Sequence, residues 1–233
     1  MFFDRQQQRG NKKPDLLRQR GLAYQFLGND KKAILDYSAA LKANPDAPDI
    51  LLRRGQIYAR TGKHAEAIED FSKIIQAEPK NHAARYCRAI SCAAEQKYEE
   101  AHSDVIKAIK LDAKQPSYHI LLGELLQRTG DTSRVLVAYN RAILEDPTDA
   151  ATYRRRGAVH SQAQNYLNAI SDFTHSLELS PTQIEVLVQR GNAYLKANQL
   201  GLAMEDFELA LTHNDKLAKA LSLIHISEPT RPY

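Results

Sequence analysis

Cysteine is nearly absent from this sequence. Two thiols in 233 residues are too few for a disulfide framework, so a reducing, cytoplasmic setting is the expectation. Long apolar runs are missing as well. No stretch approaches the roughly 20 apolar residues a membrane helix needs, and Met1-Phe2-Phe3 runs at once into Asp4 and Arg5, which is not the pattern of a signal peptide. Charge of one sign is not in large excess: 32 Lys and Arg stand against 28 Asp and Glu. A net +4 is too small to argue for nucleic acid or a membrane surface as partner. A hydrophobic fraction of 43% beside a charged fraction of 26% excludes wholesale disorder.

Glycine and proline are also few, 10 and 9, yet they are ordered. The interval from Pro45 to Pro79 recurs from Pro147 to Pro181, and Pro79 to Pro147 is twice that interval. Pro14, Pro48 and Pro116 form a second comb of the same period, and Gly21, Gly55, Gly123, Gly157 and Gly191 a third. A fixed period of this size marks a repeat architecture. Cutting in that register gives six units without insertion or deletion: 14–47, 48–81, 82–115, 116–149, 150–183 and 184–217. Residues 1–13, polar and basic, are expected to be a flexible lead-in.

The second unit shows what each one encodes. Pro48 suits a helix start, where its missing N–H costs nothing. Ile50, Leu51, Ile57 and Tyr58 make a helical apolar stripe, and Gly62 is placed for a left-handed cap. Ala67, Ile68, Phe71, Ile74 and Ile75 share a face of a second helix, which Glu78-Pro79 ends. Two helices in every unit leave no room for strands, so the fold class is all-α. Small residues recur in the first helix (Gly21, Gly55, Ala89, Gly123, Gly157, Gly191) opposite large ones in the second (Tyr37, Phe71, Val105, Tyr139, Phe173, Phe207), as close helix packing requires.

A charge pair repeats with the same period. Arg20, Arg54, Arg88, Arg156 and Arg190 occupy one site of the first helix; Asp36, Asp70, Asp104, Asp172 and Asp206 occupy one site of the second. Both are lost together in the fourth unit, to Leu122 and Ala138. Joint loss within one unit predicts that Arg and Asp of the same repeat touch.

These residues resemble the tetratricopeptide repeat family, in the subgroup whose first helix carries Arg-Gly-x-x-Tyr. Arg20-Gly21…Tyr24, Arg54-Gly55…Tyr58 and Arg190-Gly191…Tyr194 match it in full, Arg156-Gly157…His160 all but the aromatic. Arg88-Ala89…Cys92 and Leu122-Gly123…Leu126 depart from it. The resemblance implies a right-handed α-solenoid of tandem helix-turn-helix repeats, whose first helices line a concave groove for a protein or peptide partner. Carried onto this sequence, the groove holds Arg18, Leu22, Gln25, Leu52, Gln56, Arg60, Tyr86, Ile90, Ile120, Glu124, Arg128, Arg154 and Asn192. Tyr86 and Ile90 are the expected anchors; Arg18, Arg128 and Arg154 are the expected carboxylate partners.

No catalytic set stands out. The eight His are spread along the array without a metal-ligand pattern, and Cys87 and Cys92 read as small packed residues. No cofactor, metal, small-molecule substrate, nucleic acid or membrane is therefore expected. The function implied is a non-catalytic interaction scaffold, with cilium or cytoskeleton as analogy. The alternative is the recognition arm of a larger enzyme. A chaperone adaptor gripping a C-terminal carboxylate ranks lower, because Leu22 and Arg53 replace its two Asn, and Ala83 and Cys87 its distal basic pair. Residues 221–231 resemble the translation of a sequencing-library adapter, so 221–233 are set aside as a non-native tail. Ala218-Lys219-Ala220 would open a truncated seventh repeat of a longer protein.

Overall fold

The structure, a computed structural model, describes residues 2–128 and 130–213, with side chains from Lys13 onward. Residues 214–217 of the sixth unit, the opening of a seventh at 218–220 and the adapter-like segment 221–233 lie outside the described residues. Among the described residues every regular element is a helix: α1 (Phe2–Phe26), α2 (Asp30–Ala43), α3 (Pro48–Arg60), α4 (His64–Ala77), α5 (His82–Ala94), α6 (Tyr98–Leu111), α7 (Pro116–Gln127), α8 (Thr132–Glu145), α9 (Ala150–Gln162), α10 (Tyr166–Leu179), α11 (Ile184–Lys196) and α12 (Leu200–His213). The class is all-α.

Contacts divide the chain into two compact units, Met1–Lys114 and Gln115–Tyr233. In the first, α1 packs on α2, α3 on α4 and α5 on α6, while α2 meets α3 and α4 meets α5. The second repeats this from α7 to α12. The first unit's core joins Ala33, Tyr37 and Leu41 to Leu51, Ile57, Phe71 and Ile74. The second unit is built around Leu126, Val135, Tyr139 and Val159 and around Phe173, Leu177, Val186 and Leu187. Each large side chain buried there contributes about 1.5–3 kcal/mol.

Hairpin geometry follows from three local devices. At the end of the first helix one residue adopts a left-handed conformation in every hairpin: Gly28, Gly62 and Gly130, but also Gln96, Gln164 and Asn198. These six share one register position of the repeat. The bonds at Gly62 explain why: Lys63 N–H donates to Tyr58 O at 2.8 Å and Gly62 N–H to Ala59 O at 3.2 Å, which satisfies the last carbonyls of the helix. Where Gln stands instead of Gly, the same turn costs about 1–2 kcal/mol in backbone sterics. Side chains of Asn29, Asn81, Asp131 and Asp149 then cap the helices that follow them.

The third device is the close approach of helix to helix. A Cβ built on Gly55 would lie 2.7 Å from Cε1 of Phe71, inside any permitted contact. The third hairpin relaxes both sides at once, with Ala89 against the smaller Val105.

The first helix departs from the expected pattern. It does not start at Pro14 but runs from Phe2, with Pro14 inside it, so residues 2–13, set apart as a lead-in, carry helical backbone. Gln, Arg and Lys, which dominate that stretch, are good helix formers. Pro14 takes one N–H out of the ladder and sets its ring against the carbonyl four residues earlier, a cost of about 3 kcal/mol.

Candidate functional site

The conspicuous polar groups of the molecule are the Arg–Asp pairs. Each is bidentate and lies within one hairpin: Arg54 Nε donates to Asp70 Oδ2 at 2.8 Å and Nη2 to Oδ1 at 2.6 Å. Arg20 and Asp36, Arg88 and Asp104, Arg156 and Asp172, and Arg190 and Asp206 are joined in the same way. The aspartates are buried, and the guanidinium beside each carboxylate is held above its ordinary pKa by that hydrogen bond.

The remaining guanidinium nitrogen has a third partner, one that sequence reasoning missed. Arg54 Nη1 donates to Ser38 Oγ at 2.9 Å, Arg88 to Ser72 at 3.0 Å, Arg156 to Asn140 at 2.7 Å and Arg190 to Thr174 at 3.1 Å. Every acceptor belongs to the preceding hairpin, so the pair within a repeat also ties it to its neighbour. The signal was present in the spacing: Ser38, Ser72, Ile106, Asn140 and Thr174 share one register position. The apolar member precedes the hairpin that has Leu122 and Ala138.

The aromatic of the Arg-Gly-x-x-Tyr pattern has its own task. Arg54 lies over the Tyr58 ring at 5.5 Å and Arg190 over Tyr194 at 5.8 Å, a cation–π contact that shields the ion pair. In the fifth hairpin His160 replaces the tyrosine and Arg156 stacks on Tyr153 instead, at 5.6 Å. His160 Nε2 is 4.0 Å from Asp172, and its Nδ1 is buried without a partner. Burial pushes its pKa below the usual histidine value, against the pull of Asp172.

The groove residues named from sequence lie on α1, α3 and α5 in the first unit and on α7, α9 and α11 in the second, with Arg128 just past the end of α7. Leu22, Gln25, Leu52 and Tyr86 are half-buried; Gln56, Arg60 and Ile90 are exposed. In the second unit Ile120 and Arg154 are half-buried, while Glu124, Arg128 and Asn192 are exposed. Several are already engaged. Gln25 Oε1 accepts from the buried Tyr37 hydroxyl at 2.9 Å, and Leu52 and Ile120 pack on the cores. Arg18 donates to Asp49 and Arg154 to Glu185, both at 3.0 Å. Arg155 bonds Glu124 at 3.0 Å, and Arg60 bonds Asp30. Arg18 and Arg154, expected as partners for a ligand's carboxylate, each hold an internal carboxylate here, because Asp49 and Glu185 open the neighbouring first helices within reach. Cys92 is buried, and burial pushes its thiol up to about 11; Cys87 is half-buried. Among the described residues no group of three or more His, Cys, Asp or Glu is placed to hold a metal ion, and no helix is long and apolar enough to cross a membrane.

Family profiles described as tetratricopeptide repeat match residues 18–82 and 184–215. Those residues carry tetratricopeptide repeats. Solved structures place the fold as an all-α solenoid: a MamA protein superposes with a TM-score of 0.67 at 20% identity, covering 79% of this chain and 98% of that one. YrrB, described as a tetratricopeptide-repeat protein with an unusual peptide-binding site, superposes with a TM-score of 0.68 at 16% identity over 81% of this chain and 97% of that one. The Cut9–Hcn1 assembly of APC/C gives 0.70 at 18% identity, over 94% of this chain and 43% of that one. Curated relatives align over less. Human sperm-associated antigen 1 is 33% identical over 97 residues, 40% of this chain and 10% of that protein. The mouse protein O-mannosyl-transferase TMTC1 is 25% identical over 114 residues, 47% of this chain and 12% of that protein. The aligned repeats therefore span about a tenth of these two relatives' length.

Proposed function

We propose that this repeat array is a non-catalytic scaffold holding an extended peptide or a partner helix in a concave groove lined by the first helices. One observation carries the reading. On α5, Ile90 remains 39% exposed beside half-buried Tyr86 and the small residues Ala83 and Ala94, although the opposite side of the same helix is fully engaged through Ala84, Ala89 and Cys92. An apolar side chain left in water among small neighbours suits a partner's anchor residue. Peptide capture by YrrB, on the same fold, supports the same use. Internal neutralisation of Arg18 by Asp49 argues against a clamp for a terminal carboxylate. A cytoplasmic setting, with the cilium or cytoskeleton as one location, belongs to this proposal and rests on the two unpaired cysteines and the analogy of repeat type.

The test is selection of peptides from a random linear library on the intact chain, followed by affinity measurement. Tyr86→Ala and Ile90→Asp should each weaken the selected peptide at least tenfold while helical circular dichroism stays unchanged. Unaltered affinity in both variants would overturn the groove. A second reading, the recognition arm of a larger enzyme, is favoured by the alignment to a protein named as a transferase. A reading frame that joins these repeats to a catalytic domain would decide for it.

A further inference from the structure

The first helix, α1, exposes a face that every later first helix buries. Leu16 is 63% exposed, whereas Ile50, Ala84, Tyr118, Thr152 and Val186, at the same register position, are at most 5% exposed. Ala23 is exposed where its equivalents from Ile57 to Ala193 are buried. The Arg20 side chain is 61% exposed against 16% for Arg54. Its Nε and Nη2 hold Asp36 as in the other hairpins. Among the described residues no second helix lies ahead of α1, and Arg20 Nη1 makes no bond of the kind that Arg54 Nη1 makes to Ser38. Phe26, 83% exposed, stands at the register position from which Arg60 reaches back to Asp30 of the preceding second helix.

The last described helix, α12, is open in the complementary way. Met204 is 55% exposed, although its equivalents Ile34, Ile68, Leu136 and Ile170 are half-buried, three of them packed on the cores. Leu200, 56% exposed, holds the register position of Asp30. Glu208 holds that of Ser38, Ser72, Asn140 and Thr174, the acceptors for the arginine of the hairpin that follows each of them. It is exposed, and no described residue pairs with it. Leu200, Met204 and Glu208 recur at the spacing that puts side chains on one helix face. Each of the two open faces lies within one compact unit.

We propose that α12 of one copy of this chain docks on α1 of the next, in the register of a further hairpin, so that copies join head to tail. The inference is independent of the groove reading. Inside the chain, a second helix meets the first helix that follows it through residues 16 and 30 positions apart, Ser38 with Arg54 and Asp30 with Arg60. Carried across a junction between copies, with six whole periods added, the same two offsets bring Glu208 to Arg20 and Leu200 to Phe26. A carboxylate thus meets the guanidinium nitrogen left over by Asp36, in a charge-assisted bond stronger than one to a hydroxyl. Two exposed apolar side chains meet where the inner junction has an ion pair. Pairing α1 with α1 would set arginine against arginine, and pairing α12 with α12 would set glutamate against glutamate. Charge therefore selects the contact between unlike faces.

The experiment is sedimentation of the intact chain over a range of concentrations. The weight-average mass of the parent should climb above that of one chain as concentration rises. Phe26→Asp, on α1, and Glu208→Lys, on α12, alter exposed side chains and should each weaken association by at least about tenfold with unchanged circular dichroism. Mixed in equal amounts, the two variants should associate with the affinity of the parent and stop at two chains, because one unaltered α12 face and one unaltered α1 face remain to meet. A parent that stays a single chain at every concentration, as it would if another segment of the chain covers α12, overturns the proposal. So does either variant associating like the parent, the mark of a contact between like faces, or a mixture that stays apart.

Discussion

At the scale of single residues, the behaviour of Arg54 is set by its carboxylate and its hydroxyl. Its side chain is 16% exposed and that of Asp70 3%, so removing one partner strands a buried charge. Arg54→Leu should lower stability by about 3 kcal/mol in urea unfolding. The triple change Ser38→Ile, Arg54→Leu and Asp70→Ala copies what the sequence itself carries as Ile106, Leu122 and Ala138. It should return to within about 1 kcal/mol of the parent, because an apolar set of similar volume replaces a desolvated ion pair at little net cost. His160 gives a pH signature. The unfolded imidazole takes its proton near pH 6.5, whereas burial holds the native one below that value. The unfolded state therefore binds more protons as pH falls through about 6.5, and native stability drops there while it is full above. His160→Tyr, which restores the residue found as Tyr24, Tyr58 and Tyr194, should flatten the part of the Tm decline between pH 7.5 and 5.5 that His160 causes. An unchanged Tm profile would count against this account of the site.

At the scale of helices, close packing couples the two members of a hairpin. Gly55→Ala alone pushes a methyl to 2.7 Å from Phe71 and should cost about 1–3 kcal/mol by overpacking. In a Phe71→Val background the same change should cost nothing or stabilise by up to about 1 kcal/mol, since alanine is the better helix former. A double-mutant cycle reads the coupling directly. The third hairpin, with Ala89 and Val105, already has this combination. Such a series was legible before any coordinates: small opposite large, at fixed offsets, six times over. The path of α1 was not. Pro14 falls in register with Pro48 and Pro116, which do begin helices. Nothing in that spacing says that an upstream run of Gln and Lys continues the helix through it.

At the scale of the whole molecule, stability is a sum of hairpins and of their contacts with neighbours. Excision of residues 48–81, one full period, brings α5 to the place of α3 and leaves the register intact. The shortened chain should keep its helicity per residue, and its urea m-value should fall by about one sixth, in proportion to surface exposed. Loss of cooperative unfolding would show that the second hairpin is not interchangeable with its neighbours.

The all-α class, the period and the contact partners inside each hairpin were determined by the sequence alone, because they depend on spacing: each full period returns the chain to the same geometry, so equivalent residues meet equivalent surroundings. The fate of the surface charges was decided by tertiary structure. Whether Arg18 and Arg154 wait for a ligand or hold Asp49 and Glu185 depends on distances between helices about 31 residues apart in sequence.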